Sequence, residues 1–185
     1  MYKTGVIHGR FQILHNDHIK YLLAGLEKCE HLVIGITNPD PTHIKFESSD
    51  PNRSNKLSNP LSYFQRYQLI HTAFEELKIP KKRFSVVPFP INFPELYKYY
   101  VPMNAVFFLS IYDDWGREKL NKFKELKLET DVLWEVTPEE KGISASKLRS
   151  DILLDNNWQE FLPESVYHKL LEWDIKKILN NLINT

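Results

Sequence analysis

Short apolar runs without alternation recur along this chain, and between them apolar residues fall at spacings of three and four. Strand-like and helix-like segments therefore take turns from one end to the other. Gly5-Val6-Ile7-His8 suits a short buried strand, and Ile19, Leu22, Leu23 and Leu26 then mark one face of a helix. Leu32-Val33-Ile34-Gly35-Ile36-Thr37 predicts a second strand. A helix from about Ser62 carries Tyr63, Tyr67, Ile70, Phe74 and Leu77 on one face, and Phe84-Ser85-Val86-Val87-Pro88 predicts the third strand. Ala105-Val106-Phe107-Phe108-Leu109 predicts the fourth, a helix of alternating charge follows to about Lys127, and Asp131 to Val136 predicts the fifth. Strands covered on both faces lack alternation, so the order of segments predicts an α/β fold: a Rossmann-like, doubly wound, mainly parallel five-stranded sheet.

Three stretches break the rhythm. Asn38 to Pro60 is polar and rich in Pro, Asn, Ser and charge, longer than an ordinary connection, as active-site lids and disordered loops are. Its basic residues Lys45, Arg53 and Lys56 suit either a solvated loop or a lid closing over phosphate. Pro88 to Pro102 is dense in aromatics. From Glu164 onward Val166, Leu170, Leu171, Ile175, Ile178 and Leu182 keep helical spacing, which predicts one long helix packed on the body. The whole reads as a single domain over 1–185, an α/β core over 1–155 followed by a C-terminal helical segment over 156–185.

Composition narrows the function. At 185 residues, 42% hydrophobic and 26% charged, the chain has the size and balance of one globular domain. Lys+Arg and Asp+Glu both number 24, so no overall field attracts nucleic acid or an anionic membrane, and any anion site must be local. Cys29 is the single cysteine, and neither a signal peptide nor an apolar run long enough to span a bilayer is visible. These features predict a cytoplasmic protein without nucleic-acid or membrane partners.

The chemistry concentrates at two predicted turns. After the first strand, Gly9-Arg10-Phe11-Gln12-Ile13-Leu14-His15-Asn16-Asp17-His18 opens a helix. Unsatisfied amides and the positive end of the helix dipole favour an anion there, and two imidazoles three residues apart add donors. Arg10 adds a permanent forked charge that suits phosphate oxygens. After the fifth strand, Ile143-Ser144-Ala145-Ser146-Lys147-Leu148-Arg149 brings two hydroxyls to a helix start and an arginine within reach of it. Ser144 and Ser146 also suit plain helix capping, and Arg149 also suits an ordinary surface arginine. The HxxH spacing suits a metal too, but zinc needs three or four protein ligands and the chain has no CxxC or HExxH. In an open parallel sheet both turns fall beyond the carboxyl ends of the strands, where ligands collect.

In this order the two turns resemble those of the nucleotidyltransferase superfamily, which share an HxGH-like turn after the first strand and an ISxTxxR-like turn after the last. The similarity is greatest to the archaeal-type nicotinamide mononucleotide adenylyltransferase branch. It is carried by Gly9 to Gln12 with His15 and His18, Asn59-Pro60-Leu61 leading to Gln65-Arg66, Ile91-Asn92-Phe93, and Ile143-Ser144 with Ser146 and Arg149. Trp158 to Pro163 also resembles the segment before the family's last helix. The resemblance implies attack of an acceptor phosphate oxygen on the α-phosphorus of a nucleoside triphosphate, with pyrophosphate leaving and no covalent enzyme intermediate. It implies His15 and His18 as donors to the α- and β-phosphates, His18 nearest the α-phosphorus, and Arg10, Ser146 and Arg149 on the β- and γ-phosphates. Gly9, Phe11, Ile143 and Ser144 would complete the nucleotide site, with Asp113 and Trp115 near ribose or base. Asn92, Phe93 and Tyr97 would face the acceptor. Magnesium is implied through the phosphates, without a protein cage, and homo-oligomers are frequent in the family.

Two departures bear on substrate. Where archaeal-type members carry an acidic residue before the Ile-Asn pair and a tryptophan that stacks on nicotinamide, this chain has Pro90 and Tyr97. The stretch Ser110 to Gly116 replaces a small Gly-Asn turn, and its acidic residues also suit a helix N-terminus. Tyr97 suits either a stacking face or the core. The leading expectation is ATP with nicotinamide or nicotinate mononucleotide (NMN). Cytidylyl transfer from CTP to a small phosphate or phosphonate is the alternative, and a non-catalytic nucleotide sensor or scaffold is the reading from another class.

Overall fold

The computed structural model describes residues 1–43, 55–137, 140 and 142–184; Lys45 and Arg53 lie outside the described residues. Strands β1 (Tyr2–Gly9), β2 (Cys29–Thr37), β3 (Phe84–Phe89), β4 (Val106–Ile111) and β5 (Thr130–Glu135) form one five-stranded sheet in the order β3-β2-β1-β4-β5. Every neighbouring pair is parallel. The helices are α1 (Asn16–Lys28), α2 (Tyr63–Glu76), α3 (Asp114–Glu125), α4 (Ala145–Leu153), α5 (Glu164–Glu172) and α6 (Ile175–Ile183). The expected doubly wound α/β architecture is present. Pro88 stands in β3, where the missing N–H is tolerated because β3 is an edge strand.

Successive strand residues point to opposite faces, and the core is split accordingly. Ile7, Ile34 and Phe108 pack with Leu22 of α1, Phe74 of α2, Leu148 of α4 and Val166 and Leu179 from the C-terminal helices. Their neighbours Val6, Val33 and Phe107 turn the other way, onto Phe123 of α3 and Tyr97 of the loop after β3. The residues beyond 155 thus contribute to the same core as α1 and α2.

Local chemistry accounts for the helix starts. Ser62 opens α2 with a capping box, its hydroxyl accepting from the Gln65 amide while Gln65 returns a bond to the Ser62 amide. Ser144 caps α4 through the Lys147 amide at 3.1 Å. The C-terminal segment differs from expectation: it is two helices, parted at Trp173–Asp174. Asp174 takes a left-handed φ of 52° and accepts from the Lys177 amide, so it ends α5 and caps α6 while the apolar spacing runs on across the break. Strand β4 also runs two residues past the expected end, which makes Ser110 and Ile111 strand residues. Among the described residues no helix is long and apolar enough to cross a membrane.

Candidate active site

The sheet parts where the site lies. The β1–β2 ladder continues to Gly9 with Ile36, whereas the residues of β1 paired with β4 are Gly5 and Val6 only. Beyond Val6 the two strands diverge, at the point where the winding direction reverses, and such switch points are where open sheets bind ligands. The Tyr21 hydroxyl bridges part of the gap: it donates to the Phe108 carbonyl at 3.1 Å and accepts from the His8 amide. Above the gap opens a cavity of about 630 Å³, within the size range of small-molecule sites.

Both turns open onto this cavity. Of the residues expected there, Gly9, Arg10, Phe11, His15, His18, Asn92, Asp113, Trp115, Ile143, Ser144 and Ser146 line it. Phe11 holds a left-handed φ of 52°, a costly conformation for a bulky residue, and its ring covers Gly9 so closely that a Cβ there would lie 2.8 Å away. The same ring meets His18 edge-on with centroids 5.2 Å apart. His15 occupies the N-cap of α1 without a side-chain bond to the helix amides. Its ring stacks on His18 at 3.7 Å and 27°. Strained backbone and stacked rings together hold two imidazoles at one helix N-terminus, which is the arrangement an anion site needs.

The arginines divide between ligand positions and struts. Arg10 lines the cavity. Arg149 does not: it is 5% exposed, donating to the Gln12 carbonyl at 2.6 Å and to the Ser146 hydroxyl at 3.1 Å. Its expected direct hold on the β- and γ-phosphates is corrected to a tie between the two turns, with Ser146 as the group that reaches the cavity. Arg66 is buried to 1% exposure. It donates to the carbonyls of Ser62 (3.2 Å), Arg10 (2.9 Å), Thr37 (2.7 Å) and Asn38 (2.7 Å), binding the ends of β1 and β2 to α2. Burial, followed by the charge of Arg10, lowers its pKa to about 10. Gln12 adds a two-way bond to the backbone of Leu61, at 2.8 and 2.9 Å.

Asp17, between the two histidines, joins the turns a second time: its carboxylate accepts from the Ile143 amide at 2.9 Å. A Cβ on Gly142 would collide with that carboxylate oxygen. Gly142→Ala is therefore expected to push Asp17 off Ile143 and lower kcat/KM by about 10- to 100-fold, the scale of a misplaced phosphate cradle. Asp17→Ala should match it, with melting temperatures of both near wild type. A Gly142→Ala enzyme with unaltered kcat/KM would remove this contact from the machinery.

On the acceptor side two expectations fail. Tyr97 is fully buried, its ring against Phe89 at 4.5 Å and its hydroxyl donating to the Ile91 carbonyl at 2.6 Å. It is a core residue, and its aromatic face cannot stack on a ligand. Phe93 also does not line the cavity, which leaves Ile91 and Asn92 as that loop's contribution. Asp113 keeps its capping role, accepting from the Gly116 amide at 2.9 Å, while Lys119 lies over the Trp115 ring at 4.2 Å. Asp113, Trp115 and Lys119 also line the cavity, as does Tyr112, whose hydroxyl accepts from Trp134 Nε1 at 2.7 Å.

His8 was not anticipated as a site residue, because a single histidine in a strand-like run gives no signal of exposure to a ligand. It lines the cavity at 4% exposure, and neither ring nitrogen has a partner among the described residues. Burial, then the Lys119 ammonium, holds its imidazole well below the ordinary histidine range, so it is neutral at pH 7. An unpaired buried polar group costs about 1–3 kcal/mol.

Comparison with known proteins agrees with this geometry. A family model described as cytidylyltransferase-like matches residues 6–151. A phosphonoformate cytidylyltransferase of Streptomyces viridochromogenes is 43% identical over 172 residues, covering 93% of this chain and 92% of that protein. A nicotinamide-nucleotide adenylyltransferase of Thermococcus kodakarensis is 28% identical, covering 90% of this chain and 81% of that one. Among solved structures, a bifunctional NMN adenylyltransferase/ADP ribose pyrophosphatase from Francisella tularensis superposes with a TM-score of 0.70 at 17% identity. All of this chain is covered there, spanning 53% of the longer protein.

Proposed function

The chain belongs to the cytidylyltransferase-like family and is a nucleotidyltransferase, and from that premise we propose that it transfers a cytidylyl group from CTP to a small phosphonate or phosphate that also carries a carboxylate. This reverses the order of the two substrate readings drawn from the sequence. The observation that carries it is Tyr97: with that ring in the core, the position expected to stack on nicotinamide has no aromatic face to offer, and Pro90 supplies no carboxylate for a cationic ring. The 43% identity to a phosphonoformate cytidylyltransferase points the same way.

In this reading an acceptor oxygen on phosphorus attacks the α-phosphorus of CTP. One P–O bond forms, the bond to the bridging α–β oxygen breaks, and pyrophosphate carries away the electron pair. The protein acts by position and charge. His15 and His18 donate to the α-phosphoryl oxygens as negative charge grows there, Arg10 and the α1 amides neutralise the triphosphate, and Ser144 and Ser146 present the start of α4 to the leaving group. Among the described residues no three metal-ligating side chains converge. In this reading a magnesium ion carried by the triphosphate and water would neutralise phosphate charge, and no side chain is assigned to it.

Adenylyl transfer to NMN is the second reading, favoured by Asn92, which lines the cavity at the position the resemblance assigns to that acceptor. Pyrophosphate release, measured with CTP or ATP against phosphonoformate, NMN and nicotinate mononucleotide, separates them. Turnover is expected with CTP and phosphonoformate. Turnover confined to ATP with a mononucleotide would install the second reading, and silence across all pairs would install the sensor.

A further inference from the structure

We infer that His8 is a specificity-determining acceptor contact: its imidazole donates a hydrogen bond to the carboxylate of a small carboxylated phosphonate at the floor of the cavity. The inference deepens the cytidylyl-transfer reading and rests on it.

Three observations carry it. The first is location. His8 shares a sheet face with Val6 and stands where β1 and β4 have already parted, so no β4 residue pairs with it; its partner on β2 is Gly35, which has no side chain to place beside it. Its ring packs beside Phe89 at 5.6 Å and Phe123 at 5.4 Å, and the residue lines the cavity. The second is the hydrogen-bond inventory. A neutral imidazole has one donor and one acceptor, and both nitrogens of His8 are buried without a partner among the described residues. Two aromatic rings, Phe89 and Phe123, flank it, and against them an aliphatic residue would serve packing as well without a polar group to satisfy. A buried polar group left unsatisfied in the unliganded protein therefore points to a partner that arrives with a ligand. The third is charge. Lys119 is the cation whose field His8 feels. An anionic oxygen accepts the imidazole N–H and is also attracted by that ammonium, whereas a second cation or an apolar group does neither.

The triphosphate does not compete for this place. Its cradle is built from the N-termini of α1 and α4, which pack on the Ile7 side of the sheet, while His8 lies on the α3 side. A carboxylated acceptor offers its phosphonate to His18 and its carboxylate to His8, both of which line the cavity. A bare phosphonate would reach only the first.

The test is binding and turnover with phosphonoformate and with methylphosphonate, which replaces the carboxylate by a methyl group, on wild type, His8→Leu and His8→Gln. Thermal melting shows that each variant is folded. Wild type should bind phosphonoformate better than methylphosphonate by isothermal titration calorimetry. His8→Leu should weaken phosphonoformate by about 10- to 100-fold and abolish the preference, while His8→Gln, which keeps an N–H, should recover part of it. Turnover should show the same loss in the acceptor KM and a CTP KM within twofold of wild type. Equal phosphonoformate affinity in wild type and His8→Leu, binding to neither, or a change confined to CTP would overturn the inference. The last outcome would assign His8 to the base. Failure of the function reading looks different: wild type then binds phosphonoformate in a His8-dependent way but does not turn it over with CTP.

Discussion

Replacing His18 by alanine is expected to lower kcat by about a hundredfold or more with little change in folding. His18 sits in the first turn of α1, half-buried, with its ring fixed between the edge of Phe11 and the face of His15. The helix amides bind the ground-state anion whether or not this ring is present, so the nucleotide KM should move little. What disappears is a donor aimed where charge accumulates as the α-phosphorus becomes five-coordinate, and removal of one such preorganised donor costs 10²- to 10³-fold in kcat elsewhere. His18→Gln, which keeps an N–H, should retain part of the rate. Single-turnover kinetics at saturating nucleotide provide the measurement. A variant with wild-type kcat would take His18 out of the chemistry. His15→Ala is a less clean probe, because His15 is buried and occupies the N-cap of α1.

That two histidines share a helix start just after the first strand was legible without coordinates, and so was the sheet that presents them. The strands are covered on both faces, so their runs are apolar throughout, and Ser62 and Ser144 announce their helices by capping chemistry that acts within four residues. Legibility ends where a residue's role depends on which way it faces. Arg10, Arg66 and Arg149 are chemically the same side chain near the same turns, yet one faces the cavity and two are struts, a difference set by carbonyls up to 137 positions away. Tyr97 and His8 exchange their expected places for the same reason. An aromatic in a loop reads as an accessible face but is drawn into the α3-side core by Phe89 and Phe123. A histidine in a strand reads as buried but lies where the ladder has opened. The break at Asp174 was missed because apolar spacing continues through it, and a lone aspartate marks it without glycine or proline.

The struts make the other large effect. Arg66→Met is expected to destabilise the protein by about 2–4 kcal/mol and to weaken nucleotide binding as well. Taking a buried charge away also removes a desolvation penalty of several kcal/mol, which opposes this loss. Arg66 has no carboxylate partner among the described residues, and what offsets that penalty is a set of backbone carbonyls, each bond to a charged donor contributing about 1.5–3 kcal/mol. The Ser62 carbonyl keeps its helical bond from the Arg66 amide after substitution. Those of Arg10, Thr37 and Asn38 lose theirs, at about 1–3 kcal/mol apiece where water cannot replace it, and this exceeds the relief from losing the charge. For a chain of this size the loss corresponds to roughly 5–15 °C in Tm. Function should suffer separately, since the same three carbonyls fix the backbone on either side of Arg10 and at the left-handed Asn38, where the β1 and β2 ends border the cavity. Arg66→Lys, one ammonium where a fork spanned two strands, should fall between. Thermal melts with and without nucleotide separate the two effects: the wild type should gain Tm on adding CTP and Arg66→Met should gain much less. A variant that melts within 2 °C of wild type and responds fully to CTP would show that Arg66 merely fills space.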